Sequence, residues 1–419
     1  MEEKFANHTY KPEIRFKGFT EPWEQCKFSE IVDKYEDPVE TPTNGYMRLG
    51  IRSHAKGTFH SYVEPGKELE TAKMFKVAAN KFIVNITFGW EHAVAITDQN
   101  DEGKLVSHRF PQYSFKKGMV PRFFRYLILD ENFRHHLELS SPGGAGRNRV
   151  LKLTDMLNYK MSFPNEREQE KIADYFDSLD NLITLHQRKC DTLKNLKASM
   201  LTKMFPKVGE SVPEIRFKGF TEPWEQRKLS ELCEKFIDGD WIESKDQSDS
   251  GVRLIQTGNV GLTTYLDKPD YKKWITRETF ERLHCEEVLP GDILISRLPE
   301  PAGRACIVPY LGTKMITAVD CTIVRTSSEC SKKYLVQFLS TQNYFNEVNT
   351  ALAGGTRQRI SRSNLASFDV PMPPTFEEQE EIGDYFERLD HLITLHQRKY
   401  EKLLDVKKAF LEKMIGGDN

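Results

Sequence analysis

The sequence predicts a mixed α/β fold: two α/β domains separated by two long antiparallel helices, with a pseudo-twofold internal repeat. Three observations indicate it. The segment PEIRFKGFTEPWEQ at 12–25 recurs unchanged at 213–226. The segment YFDSLDNLITLHQRK at 175–189 recurs at 385–399 with three substitutions. Between these blocks, short apolar runs alternate with Gly, Pro and Asp, a pattern typical of strands and turns.

The repeat defines the domain organisation. The first pair of blocks is offset by 201 residues and the second by 210, so two shared frames enclose inserts of different length. A period this long exceeds that of solenoid repeats, and each copy therefore has room for a core of its own. The predicted parts are a first domain at 1–165, a central helix at 166–208, a second domain at 209–375 and a C-terminal helix at 376–419.

Composition narrows the class of protein. With 38% hydrophobic and 29% charged residues over 419 positions, the chain is a soluble, foldable protein. It has neither a signal peptide nor an apolar run long enough to span a bilayer, so we expect it in the cytoplasm. Seven cysteines without a C-x-x-C pair indicate reduced, structural thiols. The net charge of −2 restricts any nucleic-acid contact to a local patch.

The two inserts resemble each other in the order of their elements. Each has a strand followed by glycine, a second strand, a basic-aromatic helix and a glycine turn with arginines. The segments are 46–50, 81–88, 120–137 and 143–149 in the first insert, and 252–261, 291–296, 331–348 and 354–359 in the second. The inserts are therefore interpreted as diverged copies of one domain, as two different ligand specificities would require.

The segments from about Arg167 to Phe205 and from about Glu377 to Ile415 have the apolar spacing of a left-handed coiled coil. We expect the helices to pair antiparallel, with the two domains at opposite ends of a spacer of roughly 57 Å. A matched histidine pair on this seam is explained by a polar layer that fixes register, without metal or catalysis. The predicted helix-pairing residues are Ile172, Phe176, Leu179, Ile183, His186, Ile382, Phe386, Leu389, Ile393 and His396.

Both halves have the same order of parts: a variable domain, a glycine-arginine turn, a connecting segment and a long helix. The connecting segment is SFPNEREQEKIADYF at 162–176 in the first half and PMPPTFEEQEEIGDYF at 371–386 in the second. This order resembles the specificity subunit of Type I restriction-modification enzymes over essentially the whole chain. The resemblance implies that each variable domain is a target recognition domain reading half of a bipartite DNA sequence. It also implies that the paired helices set the spacer between the halves.

The resemblance further implies that the chain is not an enzyme and holds no cofactor. Two modification subunits would methylate adenine with S-adenosylmethionine, and two restriction subunits would use ATP and Mg for translocation and cleavage. The sequence lacks a G-x-x-x-x-G-K-[ST] phosphate loop, an Asn/Asp-Pro-Pro-aromatic motif and H-E-x-x-H. The alternatives are a coiled-coil scaffold or adaptor without DNA binding and, with less support, a freestanding DNA methyltransferase.

Candidate DNA-binding residues lie in glycine-rich segments, where backbone can approach phosphate and arginine can bind phosphate or guanine. Ordinary surface loops with solvated charges are the alternative. The glycine turns offer Arg147, Arg149, Arg357 and Arg359. The loops after the first strands offer Arg52, His54, Lys56, Gln256 and Asn259, and the segment 297–305 offers Arg297 and Arg304.

The shared opening segment contains one tryptophan in each copy, Trp23 and Trp224. These indoles are interpreted either as core groups or as a docking surface that two copies of one partner would use.

Overall fold

The computed structural model describes residues 11–68, 73–143, 149–352 and 358–415. The chain divides into two compact units. Unit 1 comprises Met1–Leu185 with Lys399–Asn419, and unit 2 comprises His186–Arg398. The two longest helices contribute residues to both units. The domain boundaries inferred from the sequence stay predictions.

Unit 1 contains three sheets built from eleven described strands. Strands β1 and β11 pair antiparallel, β2-β10-β7-β8 form a four-stranded sheet, and β3-β6-β9-β4-β5 form a five-stranded sheet. The strands are β1 Glu24–Lys27, β2 Val32–Tyr35, β3 Pro38–Glu40, β4 Tyr46–Ile51, β5 Thr58–Val63, β6 Lys73–Lys76, β7 Lys81–Val84, β8 Val94–Ile96, β9 Leu105–Val106, β10 Gln112–Phe115 and β11 Lys160–Phe163.

Unit 2 contains the corresponding three sheets, built from ten described strands. Strands β12 and β21 pair antiparallel, and β13-β20-β17-β18 and β14-β16-β15-β19 form two four-stranded sheets. The strands are β12 Glu225–Lys228, β13 Cys233–Asp238, β14 Gln247–Ser248, β15 Val252–Ile255, β16 Lys273–Ile275, β17 Ile293–Ser296, β18 Ala305–Ile307, β19 Met315–Thr317, β20 Cys321–Thr326 and β21 Asp369–Met372.

Short helices cover these sheets, and two long helices follow them. Unit 1 has α1 Phe28–Ile31, α2 Pro121–Leu127, α3 Glu131–Leu139 and α4 Leu153–Leu157, and unit 2 has α6 Arg277–Arg282, α7 Lys332–Phe338, α8 Gln342–Ala351 and α9 Arg362–Ala366. The long helices are α5 Glu166–Met204 and α10 Phe376–Met414, each of 39 residues. In the described part of the chain, no helix is long and apolar enough to cross a membrane.

The prediction of one basic-aromatic helix in each insert is wrong, because each insert has two. In unit 1 the side chain of Asp130 accepts a hydrogen bond from the backbone N–H of Phe133 and starts α3. In unit 2 the side chain of Thr341 accepts from the backbone N–H of Tyr344 and starts α8. Such N-cap residues end the preceding helix and begin a new one.

The long helices pair antiparallel inside each unit. In unit 2, Lys197 of α5 lies 2.6 Å from Asp390 of α10, whereas Phe205, further along the chain, packs 6.2 Å from the ring of Phe386. Unit 1 has the matching ion pair between Lys407 and Asp180, at 2.5 Å. The predicted fold class, two α/β domains with two long antiparallel helices, is confirmed.

The end of each long helix is buried in a core. Met204 and Phe205 belong to the core of unit 2, and Met414 and Ile415 to the core of unit 1. The predicted pairing residues Ile172, Phe176 and Leu179 lie in the first core, and Ile382, Phe386 and Leu389 lie in the second. Ile183 and Ile393 are half-buried further along the helices.

Gly383 in α10 allows this helix to approach α7 closely. A Cβ atom at Gly383 would lie 2.5 Å from the Cβ of Lys333 and 3.0 Å from the backbone N of Tyr334. Lys333 also binds Asp384 and Glu387 of α10, at 2.7 and 2.9 Å. The one glycine inside the helical pattern therefore serves helix packing.

The shared opening segment is anchored identically in both units. Arg15 binds the buried carboxylate of Glu168 at 2.6 Å, and Arg216 binds that of Glu378 at 2.6 Å. The backbone N–H of Ile14 donates to the carbonyl of Lys413 at 3.0 Å, and that of Ile215 donates to the carbonyl of Lys203 at 2.9 Å. Each opening segment thus joins the start of one long helix to the end of the other.

Candidate nucleic-acid interface

The loop between β4 and β5 in unit 1 presents three of the predicted DNA-binding residues to solvent. Arg52, His54 and Lys56 are all exposed. Arg52 donates a hydrogen bond to the carbonyl of Thr58, and its guanidinium carbon lies 5.4 Å from the centre of the Phe59 ring. The aromatic ring therefore orients the guanidinium without neutralising its charge.

A turn at Gly89–Glu91 supports this loop. The backbone N–H of His54 donates to the carbonyl of Glu91 at 2.8 Å, and the Ser53 hydroxyl donates to the Glu91 carboxylate at 2.5 Å. On the same turn, Trp90 lies beneath Arg149, whose guanidinium carbon is 5.4 Å from the indole centre. The turn therefore brings together two segments that are distant in the sequence.

Arg149 also holds the backbone around it. Its guanidinium donates to the carbonyls of Ser141 and Glu138, at 3.0 Å each. Its side chain is 25% exposed and lies 3.9 Å from the carboxylate of Glu138. Arg147, the other predicted contact of this turn, lies outside the described residues.

In unit 2, two of the predicted base readers instead build the loop that follows β15. The Asn259 side chain is 4% exposed; its oxygen accepts from the N–H of Gln256 at 3.0 Å and its NH₂ donates to the carbonyl of Leu266 at 2.9 Å. Arg304 donates to the carbonyls of Val260 and Thr257, at 2.7 and 2.8 Å. These contacts give Asn259 and Arg304 a structural role, and their DNA contact stays a prediction.

Two other predicted arginines of unit 2, Arg297 and Arg359, are bound to carboxylates. Arg297 is 5% exposed and lies 3.2 Å from Asp238, and burial lowers its pKa. Arg359 is 42% exposed and lies 2.9 Å from Asp320. Because its charge is partly compensated, its contribution to phosphate binding would require exchange of this partner. Arg357 lies outside the described residues.

The two shared tryptophans occupy core positions. Trp23 and Trp224 are each 3% exposed. Trp224 donates to the carboxylate of Glu378 at 3.3 Å. A side chain this buried offers no contact surface, so the structure favours the core interpretation over docking, and a role for these residues in partner binding stays a prediction.

The histidine pair of the seam lies within unit 2. The Nδ1 atoms of His186 and His396 are 2.9 Å apart, so one ring donates to the other. Among the described residues, no group of three or more His, Cys, Asp or Glu side chains could hold a metal ion. All seven cysteines are free, and burial raises the pKa of the Cys306 thiol to about 12, which leaves it inert.

Sequence reasoning missed a second segment beside the β15 loop. The turn Pro269–Tyr271 carries Tyr271, which is 75% exposed, and follows Lys268. The run DKPDYKK at 267–273 has the aromatic and basic composition that could have singled it out. The buried pairs Arg15–Glu168 and Arg216–Glu378 were also missed, although all four residues belong to sequence blocks that both halves share.

Comparison with known proteins identifies the family. A family model described as Type I restriction modification DNA specificity domain matches residues 21–195 and again 221–405. The chain therefore belongs to the specificity-subunit family of Type I restriction-modification systems and contains two copies of its domain. The resemblance noted in the sequence is confirmed.

Individual relatives agree with this assignment. A putative type I restriction enzyme MjaX specificity subunit of Methanocaldococcus jannaschii is 25% identical over 95% of this chain and 93% of that protein. The MjaVIII specificity subunit of the same organism is 24% identical over 43% of this chain and 45% of that protein. The crystal structure of a Type-I restriction-modification system S subunit from M. genitalium covers 97% of this chain and 99% of its own, with 12% identity and a TM-score of 0.60, and shares the fold.

Proposed function

We propose that the chain is a noncatalytic DNA-recognition and assembly subunit that reads a bipartite target, one half-site per variable domain. The paired helices set the gap between the half-sites. Partner modification subunits, two per chain, methylate adenine, and two restriction subunits acting through them cleave the DNA. S-adenosylmethionine, ATP and Mg belong to those partners. Membership of the specificity-subunit family supports the proposal.

The single observation that carries the proposal is the contrast between shared and divergent parts. The sheets β2-β10-β7-β8 and β13-β20-β17-β18 have the same strand order, and each unit also has a two-stranded sheet, β1-β11 or β12-β21. The remaining sheets, β3-β6-β9-β4-β5 in unit 1 and β14-β16-β15-β19 in unit 2, differ in strand number and order. The exposed loop of Arg52, His54 and Lys56 and the loop of Gln256 both extend from the divergent sheets. Two different loop surfaces, each carried by a domain with the same four-stranded sheet, suit the recognition of two different half-sites.

Two copies of one partner would need two equivalent surfaces. The segments 17–22 and 218–223 are identical in sequence and mostly exposed in both units. Since the indoles that follow them are buried, a partner would contact these neighbouring residues rather than Trp23 and Trp224.

Salt-dependent DNA binding by the purified complex with its modification subunit tests DNA recognition. Phosphate neutralisation predicts that affinity falls steeply between 50 and 200 mM salt, by about 10³-fold for roughly six contacts. The double variant Arg52→Ala, Lys56→Ala should reduce the slope by about two. The control Lys117→Ala, at an exposed position of unit 1 outside this loop and outside the shared opening segment, should leave the slope unchanged. An assembled complex with no affinity for DNA would contradict the proposal and favour a protein adaptor.

A further inference from the structure

A cleft of about 560 Å³ opens in unit 2 between the β15 loop and the turn that precedes β16. We refer to it as the reading cleft. The residues that line it are Gln256, Gly258, Asn259, Asp267, Lys268, Pro269, Asp270 and Tyr271.

Hydrogen bonds lock the two walls of the reading cleft together. Leu266 donates its backbone N–H to the carbonyl of Asn259 at 2.8 Å, while the side chain of Asn259 donates back to the carbonyl of Leu266 at 2.9 Å. Arg304 holds the first wall through the carbonyls of Thr257 and Val260, at 2.8 and 2.7 Å. The first wall is therefore fixed before any ligand arrives, which lowers the entropic cost of binding.

A buried arginine holds the strand that ends the second wall. Arg253 is 2% exposed, donates to the carbonyl of Lys273 at 3.2 Å, and has its guanidinium carbon 5.4 Å from the centre of the Trp274 ring. Both contacted residues belong to β16, directly after the turn. The side chains of the turn are thus presented from a rigid support.

The lining combines donors and acceptors that are open to solvent. Lys268, Asp270 and Tyr271 are exposed, and Lys268 and Asp270 form no ion pair with any other residue that the structure describes. A Cβ atom at Gly258 would lie 3.3 Å from the Lys268 ammonium, so this glycine lets the ammonium lie across the opposite wall. The two walls converge on the same space.

The charges in the reading cleft favour base edges over phosphate. Asp270 would repel a phosphate group, whereas Asp267 lies 3.6 Å from the Lys272 ammonium. A carboxylate accepts hydrogen bonds from the amino group of cytosine or adenine. The Gln256 amide pairs with adenine, the Lys268 ammonium donates to guanine, and an exposed tyrosine offers both a ring face and a hydroxyl. Side chains of these types read base edges directly, whereas contacts to the phosphates of the DNA backbone rely mainly on cationic side chains.

We propose that the second domain reads part of its half-site through the reading cleft. Gln256, Lys268, Asp270 and Tyr271 contact base edges, and Arg304 is a positioning residue. The inference rests on the proposed function and specifies which residues of unit 2 determine sequence preference. It assigns to Lys268, Asp270 and Tyr271 a role that the glycine-loop pattern did not predict.

Methylation mapping tests the proposal. The full chain is co-expressed with its modification subunit, and methylated adenines are mapped by long-read sequencing. The isosteric variant Asp270→Asn and the variant Gln256→Ala should still give a split motif with the same gap. Sites with a mismatched base in one half-site should be methylated about tenfold more often, and the other half-site should be unchanged.

Two further variants distinguish a direct contact with the DNA bases from an effect on folding and from an effect of the changed charge. Asp249→Asn makes the same charge change at an exposed residue of unit 2 outside the reading cleft and should leave the motif unchanged. Arg304→Lys keeps the charge but loses the two-carbonyl contact, and it should relax the same half-site as Gln256→Ala in a complex that melts normally. A structural role alone would lower the yield of complex without changing the accepted bases.

The outcomes distinguish this inference from the function on which it rests. If the wild-type complex methylates a split motif and the Asp270→Asn and Gln256→Ala variants keep that motif unchanged, the proposed role of the reading cleft is overturned while the proposed function still stands. Uniform weakening of methylation at every site, with a lower salt slope, would indicate a phosphate contact and would also overturn it. A wild-type complex without any split motif would overturn the proposed function.

Discussion

The two units share a four-stranded sheet of the same strand order and use different sheets to present their loops. In unit 1 the divergent sheet ends in an exposed hairpin, β4–β5, paired over six residues on each strand. In unit 2 the equivalent strand β15 has β16 and β19 as neighbours, and its loop is closed by Asn259 and Arg304. The shared opening segments and long helices, which we call the frame, therefore keep the same contacts in both units while the loops that they support differ.

The frame itself is repeated contact by contact. Lys413 binds Glu13 at 2.6 Å in unit 1, and Lys203 binds Glu214 at 2.7 Å in unit 2. The amide oxygen of Gln169 accepts from the backbone N–H of Val120 at 2.9 Å, as that of Gln379 does from Ser331 at 2.8 Å. Where the contributing residues differ between the inserts, as Val120 and Ser331 do, they contribute to these contacts through the backbone N–H.

The largest expected effect comes from breaking the anchor of the opening segment. Arg15→Ala and Arg216→Ala each leave a carboxylate, Glu168 or Glu378, that is 0% exposed and has lost its arginine. Loss of one partner of a buried ion pair costs about 3–5 kcal/mol. We expect Arg15→Ala to destabilise unit 1 and Arg216→Ala to destabilise unit 2 by similar amounts, measured by urea unfolding with hydrogen exchange resolved by unit.

The matched controls for these variants are Lys17→Ala and Lys218→Ala, at exposed positions of the same segment. Surface substitutions of this kind change stability by less than about 0.5 kcal/mol. A large effect of Arg15→Ala with a small effect of Arg216→Ala would break the equivalence of the two frames.

A matched insertion in both long helices tests whether the helices determine the gap between the half-sites and the loops determine the half-site bases. Lengthening α5 alone within 191–199 would shift Lys197 away from Asp390, so a seven-residue insertion should be made at facing levels of α5 and α10. Seven residues add about 10 Å, or roughly three base pairs at 3.4 Å each. We expect methylation mapping to show a longer gap between unchanged half-sites; altered half-site bases would argue against the division.

The smallest expected effect is an opposite response of the two units to acid. His92 in unit 1 is 4% exposed, and burial lowers its pKa below the ordinary 6.5. The unfolded chain therefore takes up this proton first, and unit 1 loses stability as the pH falls below about 6.5. In unit 2, burial raises the pKa of Asp240, so that unit gains stability as the pH falls towards the ordinary 3.8.

His92→Asn tests the acid response of unit 1. Asparagine tolerates the positive φ of 59° at this position and does not titrate there. Urea unfolding of the variant should be followed separately for each unit at pH 7.5 and 5.5. Compared with the unsubstituted chain, the variant should lose less stability in unit 1 between these pH values, and unit 2 should respond to pH as it does in the unsubstituted chain. An unchanged loss in unit 1 would exclude His92 as its cause.

The repeat and the helical periodicity were sufficient to predict the two domains and the two long helices. Identical blocks had to build identical structures, and spacings of four and three residues fixed the seam. The split of each basic-aromatic helix was not predicted, because Asp130 and Thr341 act as N-caps only in their local geometry.

The candidate interface was only partly predictable from residue type. Arg52, His54 and Lys56 are exposed as expected, whereas the side chains of Asn259 and Arg304 bind backbone of their own unit. An arginine in a loop has the same sequence pattern whether it faces DNA or a nearby carbonyl. Which of the two occurs is decided by tertiary contacts, here those of the β15 loop.

The most direct test of the account is the methylation pattern that the unmodified chain confers. Co-expression with its modification subunit, followed by long-read mapping of methylated adenines, should show one split motif with a fixed gap, since two unlike loops are supported by one frame. Two independent short motifs without a fixed gap, or no new methylation from a stably assembled complex, would contradict it.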